Sequence, residues 1–311
     1  MSAMTYEQCL TKSEKVAWRL DDELAADRRL DWSLPAVPPS LLLRVESFSA
    51  REQLVFSHVT ANSYCHMIKL FEAFIALSLY PHVELFAPRS EQVARNRAIL
   101  RVCDEEYKHQ QMFERYNAIV ARELGFAPAL FELTERHFAN PAIASAVAKV
   151  LVALVVEYLS LDQLKAVNKS GATIDPLFKQ VLTLHAVEEA QHIPADELVI
   201  TDLAAQLTQK QRDIAVRELI GLLAIYDTII QKQDELDNAT LARAFGRTLT
   251  DAEQATLALP HLSPRDFASC VSLRNPKLVR FVSTLSPLAS DVLAKKAASY
   301  DRNAQHYHQA P

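Results

Sequence analysis

Two short segments of this chain, Glu106-Tyr107-Lys108-His109 and Glu189-Ala190-Gln191-His192, share the form Glu-x-x-His, and each follows a long apolar run broken by a single glutamate. The first run is Ile68-Lys69-Leu70-Phe71-Glu72-Ala73-Phe74-Ile75, and the second is Leu151-Val152-Ala153-Leu154-Val155-Val156-Glu157-Tyr158-Leu159. On an α-helix, positions i and i+3 lie on one face, so each Glu-x-x-His can direct a carboxylate oxygen and an imidazole nitrogen at one point. A glutamate is almost never fully buried unless it is paired or binds a metal. The order Glu, Glu-x-x-His, Glu, Glu-x-x-His is that of a four-helix bundle in which two helices supply one carboxylate each and two supply the paired motif. The expected metal ligands are therefore Glu72, Glu106, His109, Glu157, Glu189 and His192.

The rest of the chain agrees with a helical reading. Only 4 of 311 residues are Gly. Sheets use Gly for tight turns and bulges, whereas helices do without it. Period-two alternation is nearly absent. We expect a mixed-charge helix at about 13–30, a proline-containing arm from Leu34 to Leu41, and long helices at about 45–80, 91–124, 141–169 and from Asp175 onward. Pro194 should kink the last of these. A short helix at about 128–138 and further helices at about 208–236 and 276–300 complete the expected set. From Glu157 to its helix end near Asn168 is about 17 Å, and from Asp175 to Glu189 about 21 Å, so an antiparallel hairpin brings those two roughly level. The stretch between His109 and Glu157 supplies the one long crossover of a ferritin-like bundle. The expected fold class is all-α: a ferritin-like four-helix core at about 45–200, with accessory helices at about 1–44 and 205–311, in a single domain.

Composition excludes several roles. A net charge of −5 with no long run of one sign argues against a nucleic-acid partner. The segment Ala142–Leu161 is the most apolar, yet it carries Lys149 and Glu157, so it reads as a buried helix and not a membrane span. The N-terminal stretch lacks the form of a signal peptide. Cys9, Cys65, Cys103 and Cys270 are scattered and form no CxxC pair. They fit small buried hydrophobes in a reducing cytosol, and the expected location is cytoplasmic.

The site itself has more detail. Glu105 and Glu188 each precede a motif glutamate. Each can accept the second ring N–H of the opposite histidine, Glu105 for His192 and Glu188 for His109, or it can be a plain surface charge. His185, four residues before Glu189 and seven before His192, lies on the ligand stripe. It reads as a seventh ligand, the alternative being a hydrogen-bonded core histidine. Carboxylates with imidazoles and no thiolate suit iron or manganese better than copper and do not exclude zinc. Helical offsets place Ile68, Ile75, Val102, Cys103, Leu154 and Leu182 among candidates for the wall of a substrate pocket.

The set Glu72, Glu106-x-x-His109, Glu157, His185-x-x-x-Glu189-x-x-His192 resembles the p-aminobenzoate N-oxygenase family of di-iron enzymes over about residues 45–200. In that family the His-x-x-x-Glu-x-x-His helix supplies the additional histidine. Ordinary di-iron monooxygenases and ribonucleotide reductase small subunits share both Glu-x-x-His motifs but not a histidine at this position. The C-terminal third carries no matching motif. The resemblance implies two iron ions cycling between Fe2+ and Fe3+ and dioxygen as co-substrate. It further implies oxidation of an amine nitrogen on a small molecule to hydroxylamine, nitroso or nitro, as in secondary metabolism. An external reductase or ferredoxin would supply electrons, and a homodimer is compatible. A di-iron C–H hydroxylase or desaturase is the alternative on the same scaffold. An iron-storage role is disfavoured, because the chain is over a hundred residues longer than a storage bundle needs.

Overall fold

The computed structural model describes residues 4–86, 89–133, 144–257 and 272–307. Its elements are helices: α1 (Tyr6–Val16), α2 (Leu20–Glu23), α3 (Ala50–Leu79), α4 (Ser90–Leu124), α5 (Ala146–Ser170), α6 (Pro176–Ala205), α7 (Gln209–Phe245), α8 (Asp251–Leu257), α9 (Pro276–Leu285) and α10 (Ala289–Tyr307), with no strand among the described residues.

Local sequence sets the ends of the long helices. Ser49 opens α3 through a capping box, its hydroxyl accepting from the Glu52 amide while Glu52 accepts from the Ser49 amide. The Asp175 carboxylate accepts from the Phe178 amide at the start of α6, with Pro176 in the first turn. Gly125 and Gly171 close α4 and α5 at φ +75° and +65°, a left-handed conformation that glycine adopts without Cβ strain.

The bundle is two helix pairs, α3 on α4 and α5 on α6, joined face to face by α3 on α5 and α4 on α6. Helix α1 covers the α4–α6 side, while α7 covers the α3–α5 side, with α9 and α10 packed on α7. This is the ferritin-like arrangement with terminal accessory helices. Helix α5 is enclosed by α3, α6 and α7, so its apolar residues face every direction. Leu151, Ala153 and Leu154 are fully buried there. Among the described residues no helix is long and apolar enough to cross a membrane. Leu151→Ala is expected to cost about 3 kcal/mol in a urea titration, through lost burial and the cavity left behind.

Several expectations are corrected. The mixed-charge stretch 13–30 is not one helix: α1 ends at Val16, α2 spans four residues, and an irregular segment follows. That segment is held by tertiary contacts. The Val37 amide donates to Ser57 Oγ, the Asp175 amide to the Pro35 carbonyl, and the Asp31 amide to Asp175 Oδ2. The expected helix at 128–138 is non-helical through residue 133, and the remainder lies outside the described residues. The single helix expected at 276–300 is two, broken at Ser286 and Pro287, because proline removes an amide donor and restricts the residue before it. Helix α6 continues through Pro194 to Ala205.

Candidate metal centre

Seven side chains from the four bundle helices converge midway along the bundle. Helix α3 brings Glu72, α4 brings Glu106 and His109, α5 brings Glu157, and α6 brings His185, Glu189 and His192. Each is at most 1% exposed. They form two groups, Glu72–His109–His185–Glu189 and Glu106–Glu157–Glu189–His192, each with ligand-type atoms all within 4.8 Å of one another.

Glu189 belongs to both groups. Its Oε1 lies 2.6 Å from His185 Nε2 and 3.0 Å from His109 Nδ1, and its Oε2 lies 3.1 Å from His192 Nδ1. Glu106 is also divided, with Oε1 3.0 Å from His192 Nδ1 and Oε2 3.7 Å from His109 Nδ1. Glu72 sits against His185 and His109 at 3.0 and 3.4 Å, and Glu157 against His192 at 3.6 Å.

These atoms are better placed for a shared centre than for each other. Glu72 Oε2, both oxygens of Glu106 and of Glu157, Glu189 Oε1 and His109 Nδ1 are buried without a hydrogen bond among the described residues, despite such close neighbours. Atoms about 2.1 Å from one ion sit about 3 Å apart when adjacent on it, which is the spacing found. Burying polar groups without partners is costly. Charge gives the same answer. Glu72, Glu106, Glu157 and Glu189 have no Lys or Arg partner among the described residues, and two divalent cations would balance four carboxylates. The donor set fits a pair of hard metal ions.

The protonation tendencies agree. Burial disfavours charge on His109, but the adjoining carboxylates of Glu106, Glu188 and Glu189 outweigh it and lift its pKa to about 10. His192 is likewise held well above the ordinary range: burial opposes the shift, and Glu189, Glu106 and Glu105 overcome it. His185 goes the other way, pushed well down by burial and then by the charge on His109, and so stays neutral. In metal-free protein, protons on His109 and His192 stand where ions would otherwise supply positive charge.

Glu105 and Glu188 take the outer positions. Glu105 Oε2 lies 3.1 Å from His192 Nε2, and Glu188 Oε2 lies 2.9 Å from His109 Nε2. The geometry leaves Nδ1 of both rings facing the shared centre. Arg101 donates to Glu105 at 2.7 Å and Lys108 to Glu188 at 2.5 Å, which neutralises both carboxylates. Glu188→Gln is expected to weaken metal binding about 10–100-fold while leaving the helical content unchanged, as measured by competition with a metallochromic chelator.

Sequence reasoning missed the groups behind these. Ser13 donates to Glu105 at 2.7 Å. The Trp18 carbonyl accepts from Lys108 at 3.1 Å, and the Lys108 ammonium sits 4.0 Å from the Trp18 ring centre. Both come from the N-terminal segment, which shows no local signal for a role at the bundle centre. Asp196, one turn beyond His192, is fully buried with neither oxygen hydrogen-bonded among the described residues, and burial holds its carboxyl well above the usual range. Its i+4 spacing from His192 was the available signal. An apolar cavity between α3, α5 and α7 does not coincide with the wall that helical offsets suggested: of those residues only Ile68 lines it.

The sequence model of the family described as P-aminobenzoate N-oxygenase AurF matches residues 46–241. No curated protein sequence matches the chain. Among solved structures, the chain is similar to variants of an R2-like ligand-binding oxidase with a reconstituted Mn/Fe cofactor. One aerobically reconstituted form is 14% identical, with 93% of this chain and 94% of that one covered and a TM-score of 0.46. An anaerobically reconstituted form is 14% identical, with 93% of each covered and a TM-score of 0.48.

Proposed function

Because the chain belongs to the p-aminobenzoate N-oxygenase AurF family, we propose that it is a non-haem di-iron oxygenase that uses dioxygen to oxidise an amine nitrogen of a small substrate. The observation that carries this reading is the set of orphaned buried ligand atoms on Glu72, Glu106, His109, Glu157 and Glu189, with the neutral His185 beside them. In this reading Glu72, His109, His185 and Glu189 would hold one iron, and Glu106, Glu157, Glu189 and His192 the other. The iron pair, when bound, supplies the dioxygen and redox chemistry, with electrons from an external reductase or ferredoxin.

The chain's own residues do the rest. Glu105 and Glu188 hold the His192 and His109 rings through their second nitrogens, keeping Nδ1 directed inward. Arg101 and Lys108 stop those two carboxylates from adding net charge to the site. The fully buried Phe113 ring packs against His185 at 4.9 Å between ring centres and keeps water from that side of the centre. His185 adds a neutral donor where ordinary Glu-x-x-His sites have none.

The test is direct. Protein loaded with iron, reduced and exposed to dioxygen should convert a panel of primary amines to products one or two oxygen atoms heavier on nitrogen, read by mass spectrometry. Oxidation at carbon only, or desaturation, would replace this reading with a C–H oxidase.

A further inference from the structure

Nine large apolar side chains are exposed among the described residues, and seven of them fall between residues 77 and 107. Single exposed apolar side chains are ordinary, but a contiguous set marks an interaction surface. Helix α4 carries Val93, Leu100 and Tyr107 at intervals of seven residues, with Arg97, Asp104 and Gln111 exposed between them. Steps of three and four in alternation keep one stripe facing outward along a helix. Helix α3 runs antiparallel beside it: Lys69 pairs with Glu114, and Cys103 Sγ lies 3.9 Å from the Ala76 carbonyl. Exposed Leu77 in α3 and Tyr80 just past its end are therefore level with the middle of the stripe. At one end stands Phe86, 91% exposed, in a turn held to α4 by the Glu84 amide donating to Asn96 Oδ1 at 3.0 Å. At the other end is an open groove whose lining includes Leu70, Ala73, Gln111, Glu114 and Ala118.

The charges on this face are balanced, Lys69 and Arg97 against Asp104 and Glu114. It presents no field to steer a strongly acidic or basic protein, and no cationic excess to meet anionic lipid. Their order instead suits a second copy of the same chain. With α4 laid antiparallel on α4 of a second copy and Leu100 on the twofold axis, positions equally far on either side of Leu100 face each other. Val93 then meets Tyr107, and Arg97 falls within one residue of Asp104. Phe86 of each copy reaches the mouth of the other's groove, about one turn (about 5 Å) from Gln111. A parallel pairing would set Arg97 on Arg97 and Asp104 on Asp104, like on like. The stripe from Val93 to Gln111 is about 27 Å long and two adjacent helices are about 20 Å wide, so two copies cover about 1,100 Å² in total, just above what a specific interface needs.

We propose that this face joins two copies of the chain, α4 to α4 antiparallel about an axis at Leu100, with Phe86 of each copy docked against the groove of the other. The inference does not depend on the oxygenase reading.

Sedimentation equilibrium on the full chain at micromolar concentration should give twice the chain mass of 34.9 kDa. Leu100→Glu sets two like charges face to face on the axis and should raise the dissociation constant about a hundredfold or more. Arg97→Glu and Asp104→Arg, each alone, place like charges across the interface twice and should each raise it about tenfold or more. The two together in one chain should restore wild-type affinity to within about a few-fold. All three positions are exposed, so circular dichroism should be unchanged. Should Leu100→Glu fail to fold, the charge-reversal set decides. A monomeric wild type, a dimer that Leu100→Glu leaves intact, or charge reversals that do not rescue each other overturns the proposal. A monomer that uses this face to bind a different protein overturns it as well.

Discussion

Glu189→Ala should strip both ions from the protein, because its carboxylate is the one group shared by both ligand clusters. One oxygen faces His109 and His185 and the other faces His192. An outer-partner substitution such as Glu188→Gln weakens affinity about 10–100-fold, and losing the shared ligand should exceed that. Iron content measured after reconstitution and desalting should fall from about two per chain to well under one. Stability gives an independent readout. In the wild type, metal at about 1,000 times its dissociation constant should stabilise the fold by about 4 kcal/mol, seen as a rise in Tm. Glu189→Ala should show little rise at the same metal concentration. Full iron content in Glu189→Ala would show that the shared carboxylate is not a ligand.

His185→Ala is expected to take iron from one position only. His185 Nε2 meets Glu72 and Glu189 at 3.0 and 2.6 Å, and it belongs to the first cluster alone. Reconstituted iron should fall toward one per chain, and amine oxidation should drop by about 10²-fold or more, since the reaction needs both ions. The tendency of this ring to stay neutral separates a ligand role from an ion-pair role. A histidine charged to balance Glu72 would have its pKa raised, as His109 and His192 do, whereas His185 is pushed down by burial and by His109. If His185 were instead a core histidine bonded to Glu72, the substitution would lower Tm without changing the iron count. Iron analysis alongside thermal melts tells the two apart.

The local parts of this molecule were legible in the chain. Glu-x-x-His spacing and helical periodicity placed Glu106 with His109 and Glu189 with His192, and the same rule carried His185 onto their stripe. Lone glutamates in apolar runs marked Glu72 and Glu157, because burying an unpaired carboxylate demands a reason. The flanking positions of Glu105 and Glu188 pointed across to the opposite histidines, where both carboxylates lie. The stretch at 13–30 misled because propensity favours a helix there, while its side chains are engaged by partners about ninety residues away or more. Arg115, for instance, donates to the Leu24 carbonyl at 2.7 Å, and Trp18 donates to the Leu184 carbonyl at 3.2 Å.

By itself the sequence determined the helices of the bundle and the donor atoms each brings inward, because those depend on spacings within one helix. Only the tertiary structure decided which distant groups stand behind them: Ser13 and Trp18 on one side, and the cavity of α3, α5 and α7 with its Asp227–Lys296 pair on the other. Such contacts arise where separate elements pack, and their energy comes from surfaces that no periodicity along a single stretch of chain encodes.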